Sequence, residues 1–346
     1  MTKSNPDRGS AALESAWQSI SDCRSELMGL AMLWVMLFHA YQFHFQSALP
    51  EFFKSMGFFG VDVFILLSGM GLGKSLLEKS QEPLKSFYSR RFQRILPTYW
   101  LLVGPYSLLL VLAGRIPIST AAWNMTALHY WFHIPNSFNW YVPALLVFYL
   151  LSPFYVRLFT RCPYKQLLSA ATIPLSYLLY RLSIPLNLLH LQDFVFRIPS
   201  FALGVLLGWF LFTRHKCTRS DLLYVSALAL AGGTLGGLLA ARKLYIHPCY
   251  IFNLLMLFLV LLLSVLLRPC RKTLLCRWLA ALGTRSFEIY LINVIITREF
   301  PVLVARLGLS SLPIWAAYGV LYAGNLIGAF VLHRLVAHLH LHPRNQ

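Results

Sequence analysis

Charge is scarce in this chain, and negative charge scarcest: of 346 residues only 12 are Asp or Glu, and all charged types together reach 12%. Soluble domains are about a quarter charged, so an aqueous globule is excluded. No polar linker interrupts the chain at a length that would separate two soluble domains, and no internal repeat is visible. The six cysteines include no C-x-x-C pair and no metal-ligand spacing, which gives no basis for a thiol redox centre, a disulfide framework or a zinc site. Disorder is excluded by the 15% aromatic content.

Long apolar runs are what the sequence has in plenty. Hydrophobic residues make up 58% and the mean hydropathy is +0.61. A bilayer core takes about 20 apolar residues per helix. That window predicts an all-α polytopic bundle of about ten spans, near 27–47, 55–73, 95–114, 139–156, 166–184, 194–213, 221–240, 247–267, 278–297 and 311–333. Residues 1–26 are polar and read as a cytoplasmic segment rather than a cleavable signal, 27–333 as the membrane domain, and 334–346 as a cytoplasmic tail. The stretch 118–138 alternates aromatic and polar residues and reads as an interfacial loop or a re-entrant segment.

The basic residues set the orientation. Net charge is +18. In a soluble chain that would suggest nucleic acid; here it points to inner loops beside anionic lipid. Lys and Arg crowd alternate connections, such as Lys74 to Arg94, Arg157 to Lys165, Arg214 to Arg219 and Arg268 to Arg277. The opposite connections hold few, among them Lys54, Arg115 and Arg242. This bias places both termini inside.

Ionisable groups within spans are costly and mark functional positions by default. His39, Asp62, Arg197 and Glu288 stand out. His39 and Asp62 fall on neighbouring antiparallel spans at similar expected depth. A histidine beside a carboxylate is a general-base arrangement, though the same pair also fits a buried polar contact. Arg90, Arg91 and Arg94 precede the third span, and Arg91 and Arg94 share a helix face. Clustered guanidinium groups clamp phosphates bidentately or anchor on lipid headgroups. Pro97 calls for a helix that begins or bends there. Gly69, Gly71 and Gly73 lack the Walker spacing and read as close helix packing. Trp123, Tyr130, Trp131, Trp140 and Tyr141 form an outer aromatic belt or a surface for sugar rings. His129 with His133, and the HLHLHP run at 338–343, lack a full ligand set for zinc.

In order along the chain, MGLAMLWVMLFHA, GFFGVDVFILLSG, RRFQRILPTYW, WYVPALLVFYLLSP, RIPSFALGVLLG and LGTRSFEIYLINV resemble segments of the acyltransferase family 3 of integral membrane proteins. These are the O-acyltransferases of bacterial surface glycans. The resemblance implies that His39 is catalytic and that Arg91 and Arg94 lie near the phosphates of acyl-CoA; the residue types themselves add Asp62 as a catalytic partner of His39 and Arg90 as a third member of the phosphate-binding cluster. It also implies transfer of an acyl group, most often acetyl, from cytoplasmic acyl-CoA to a hydroxyl of a glycan or lipid-linked glycan across a bacterial inner membrane. The expected partners are donor, acceptor and lipid; no metal or nucleic acid is expected. Two positions depart from the family pattern: Met28 stands where an arginine is expected, and Asn293 where family members often carry histidine. The alternative reading is a secondary transporter or glycan flippase with a His39/Asp62 proton relay.

Overall fold

The computed structural model describes residues 16–339. The expected N-terminal segment and tail therefore lie largely outside the described residues, as does most of the HLHLHP run. Every regular element among the described residues is helical: α1 (Ala16–Asp22), α2 (Arg24–Phe38), α3 (Ala48–Ser55), α4 (Gly60–Glu78), α5 (Leu84–Leu112), α6 (Ile118–Thr126), α7 (Tyr141–Arg161) and α8 (Lys165–Ser183) come first. They are followed by α9 (Gln192–Val195), α10 (Ile198–Phe212), α11 (Arg219–Ala240), α12 (Pro248–Leu267), α13 (Leu274–Thr284), α14 (Ser286–Arg306) and α15 (Ile314–His338).

Among the described residues seven helical stretches are long and apolar enough to cross a membrane, or eight if α13 and α14, bent by 73° at their junction, count as one. The sequence window suggested about ten. Two of its segments fall short for physical reasons. The helix leading to His39 ends at Phe38 instead of running on to residue 47, so α2 is only 15 residues long, about 22 Å against a core of about 30 Å. The other, α8, buries Ser169, Thr172, Ser176 and Ser183 along its length.

The chain divides into two compact units. One comprises the described part of Met1–Gly29 with Val61–Gln81 and Leu151–Gly283. Its packing depends on backbone contact. A Cβ on Gly69 would lie 2.5 Å from the Phe201 carbonyl oxygen, and one on Gly204 would lie 2.1 Å from that of Leu66. Gly208 meets the Met70 carbonyl oxygen in the same way at 2.5 Å, so small residues spaced four apart on α4 and α10 interlock. Gly73 joins this seam, whereas Gly71 points off it, with Arg24 Nη2 its nearest neighbour at 4.0 Å. Gly29 and Gly283 make a second such crossing between α2 and α13, where an added Cβ would run into the carbonyl oxygens of Leu279 and Ser25 respectively.

The other unit comprises Leu30–Gly60, Glu82–Leu150 and Thr284–Gln346, described as far as residue 339. Its core gathers Ala40, Ile296, Phe300, Ala317, Tyr318 and Leu321, with Phe300 stacked on Tyr318 at 4.1 Å. The third sequence segment does not begin at Pro97: α5 starts at Leu84 and continues through Pro97 and Pro105. Between α5 and α7 the chain forms the short α6 and then a series of turns with left-handed backbone at Ala127, His133 and Asn136.

Candidate active site

His39 sits one residue past the end of α2. There the last helical carbonyls lack intrahelical partners, and a histidine side chain can fold back onto one. His39 does so: Nδ1 is 2.8 Å from the Val35 carbonyl oxygen. Asn293 Nδ2, from α14, lies 3.3 Å from the same nitrogen. An amide proton and a ring proton cannot both occupy Nδ1. A carbonyl only accepts, so the shorter contact places the proton on Nδ1 and leaves the lone pair on Nε2. That is the tautomer a general base requires. The ring is half-buried and flanked edge-on by Phe38 at 5.3 Å and Tyr41 at 5.7 Å.

The chain around His39 is pinned from α15. Tyr322 donates its hydroxyl to the Met36 carbonyl at 2.5 Å. Tyr318 donates to Gln42 Oε1 and accepts from the Gln42 backbone N–H. These tyrosines fix the residues on both sides of the histidine. Between α14 and α15, His333 Nδ1 meets Glu288 Oε1 at 2.7 Å, which gives the buried Glu288 a partner.

The arginine cluster divides by occupation. Arg90 is taken by Glu82, to which both guanidinium nitrogens donate, and by Ser86 at 3.1 Å. Arg91 is half-buried, its guanidinium 5.4 Å from the Phe87 ring centroid and its Nε buried without a hydrogen-bond partner. Arg94 is exposed. Arg90 is thus engaged locally, while Arg91 is held against Phe87 and Arg94 is open to solvent.

Asp62 belongs to the first unit and is fully buried. Arg197 Nε lies 3.7 Å from its Oδ2, and Ser200 donates to Oδ1 at 3.0 Å. The Ser200 hydroxyl also lies 2.6 Å from Asn253 Oδ1, whose amide nitrogen donates to the Phe196 carbonyl at 2.9 Å. Arg197 reaches Asp193 as well, at 3.4 Å. Sequence reading singled out Asp62 and Arg197 separately but not as a pair, and it missed Ser200 and Asn253. Two expensive charges in distant apolar runs are the one signal that could have joined them.

The segment after α6 is fastened to α14. Arg298 donates to the carbonyls of Ser137 at 2.6 Å, Phe138 at 3.2 Å and Asn136 at 3.2 Å. Glu299 beside it accepts from Tyr106 at 2.7 Å and Arg115 at 2.5 Å. That bond holds the Arg115 guanidinium above its ordinary pKa. His129 is buried, with Nε2 against the Asn139 carbonyl at 2.5 Å, and burial pushes its imidazole pKa down. Among the described residues no three His, Cys, Asp or Glu side chains cluster to hold a metal ion.

Apolar helices of spanning length among the described residues mark an integral membrane protein. The acyltransferase 3 family model, an acyltransferase domain, matches residues 27–334, and the chain belongs to that family. It is a membrane acyltransferase. No curated protein and no solved structure matches the chain.

Proposed function

We propose that this protein transfers an acyl group, most simply acetyl, from cytoplasmic acyl-CoA to a hydroxyl of an extracytoplasmic glycan or lipid-linked glycan. His39 Nε2 is the general base in this reading. The observation that carries it is the 2.8 Å contact from Nδ1 to the Val35 carbonyl, which leaves Nε2 unprotonated. As the acceptor oxygen attacks the thioester carbonyl, its proton passes to Nε2. The tetrahedral intermediate then expels the thiolate, which recovers the proton from the imidazolium.

Arg91 and Arg94 are assigned to the CoA phosphates, with Arg90 acting through Glu82 to hold that end of α5. Asp62 is assigned a supporting role: its carboxylate is committed to Arg197 and Ser200, and the backbone carbonyl of Val35 already sets the histidine tautomer. The proposed topology keeps about ten crossings, with α2 and α8 among them and both termini cytoplasmic. The proposed location is a bacterial inner membrane.

The deciding measurement is transfer from labelled acetyl-CoA by His39→Ala protein present in the membrane at wild-type level. Turnover should fall by roughly 10² to 10⁴. Transfer within a factor of two of wild type would remove His39 from the chemistry.

A further inference from the structure

The last helix carries an amide that the fold leaves unused. Asn325 is fully buried on α15, in a stripe that otherwise holds Tyr318, Leu321, Ala329, Leu332 and Val336. Its Oδ1 and Nδ2 are both buried and have no hydrogen-bond partner among the described residues. An amide in that state costs free energy that an aliphatic side chain of similar size would not.

Its level relative to His39 follows from its neighbours. Tyr318 bonds Gln42, beyond His39, while Tyr322 bonds Met36, before it. Asn325 continues the same progression, about 5 Å further toward the N-terminal end of α2 at 1.5 Å per residue. Asn293, which touches His39, faces the same stretch of α15. The antiparallel pairing of α14 and α15 is fixed at one end by Phe300 on Tyr318 and at the other by Glu288 with His333. Between these ties, Ile292 reaches the position of Gly328. The Asn293 Oδ1 is likewise buried without a partner. Unpaired amide atoms thus gather beside the histidine and inward of it.

A side-chain amide offers one donor and one acceptor together, and its natural complement is another amide. A thioester carbonyl can only accept. The pantetheine arm of an acyl-CoA carries two secondary amides, the nearer separated from the sulfur by two methylenes. An arm entering from the inner side, with its thioester at His39, would bring those amides past the level of Asn325. We infer that Asn325 pairs with an amide of the donor's pantetheine arm and so aligns the thioester with His39. This rests on the acyl-thioester reading above.

Full-length Asn325→Leu protein tests it, with the smaller Asn325→Val repeating each measurement without added volume. Three donors are compared by thiol release: acetyl-CoA, S-acetyl-N-acetylcysteamine, which keeps one amide, and an S-acetyl alkanethiol of matching length with none. Thermal unfolding is followed in parallel. Wild type should prefer the amide-bearing short donor over the alkyl one. In the variants kcat/KM for acetyl-CoA should fall about 10- to 100-fold, and the preference between the short donors should vanish. The unfolding midpoint should stay level or rise, because an unpaired amide has been removed.

Unchanged kinetics in both variants would overturn the inference, and so would equal losses toward both short donors. A lowered midpoint in both would overturn it too, since the amide would then have a partner inside the protein. In these cases His39→Ala remains inactive and the catalytic reading stands. A wild type that releases thiol from no thioester would overturn that reading and this inference with it.

Discussion

Arg197 and Asp62 face each other at 3.7 Å with side chains only 3% and 1% exposed. A pair so completely buried contributes little net stability, but breaking it leaves a bare charge in an apolar interior. Arg197→Leu should therefore destabilise the protein by about 3–5 kcal/mol. Replacing both residues with leucine should recover most of that. Thermal unfolding in detergent checks it, and a single variant as stable as wild type would mean that the two charges do not depend on each other.

The α4–α10 seam predicts a sharp contrast among three glycines. Gly204→Ala and Gly69→Ala each drive a methyl group into a facing carbonyl oxygen, at 2.1 Å and 2.5 Å. Each should cost about 1–3 kcal/mol or more as the helices are forced apart. Gly71→Ala meets nothing nearer than 4.0 Å and should be neutral, or slightly stabilising through helix propensity. Equal effects at all three positions would refute the interlocked seam.

Donor recognition should separate the three arginines. Replacing Arg91 and Arg94 together with Gln should raise the acyl-CoA requirement strongly while the protein still inserts. Lys at both positions should restore only part, since it lacks the planar fork. Arg90→Gln should act mainly on stability, because Arg90 is already engaged by Glu82. An unchanged KM for acyl-CoA in the double Gln variant would return the pair to a lipid-anchoring role.

Thiol labelling should follow burial. Cys270 is exposed, whereas Cys23 and Cys217 are buried. Burial, with Glu26 nearby for Cys23 and Asp221 for Cys217, pushes each of those thiols up to about 11. At neutral pH their thiolate fraction is then roughly 10² below that of an ordinary cysteine, so maleimide should modify Cys270 first. Because the folded-state value is raised, labelling of the slow pair should keep accelerating as pH climbs past 9 toward 11. Mass spectrometry showing Cys23 or Cys217 labelled as fast as Cys270 would contradict the burial.

Much of this arrangement was legible in the sequence, and the exceptions share one cause. His39, Asp62, Arg197 and Glu288 announced themselves because ionisable groups are rare in apolar runs. Gly69 and Gly73 were readable as packing residues, since small side chains four apart recur on one helix face. Gly71 was not separable from them without knowing which face meets α10. Pro97 left open whether α5 begins or bends there; the helix begins earlier, at Leu84, because a helix held by its neighbours tolerates a missing backbone bond. Asn325 carried no signal at all: an asparagine among apolar residues is unremarked until the packed helices show that no described residue bonds it. Pairings such as Asp62 with Arg197 depend on contacts between residues far apart in sequence, which no local pattern encodes.

Arg298 holds its loop by three carbonyl oxygens, those of Asn136, Ser137 and Phe138. None of these bonds reads a side chain. Those three bonds are therefore indifferent to which side chains Asn136 and Ser137 carry, provided the backbone keeps its path, while Phe138 also packs edge-on against Tyr99 and Tyr106. Substitutions at Asn136 and Ser137 can change what the segment presents to its surroundings without rebuilding this attachment. A single guanidinium thus separates the loop's tether from its vocabulary.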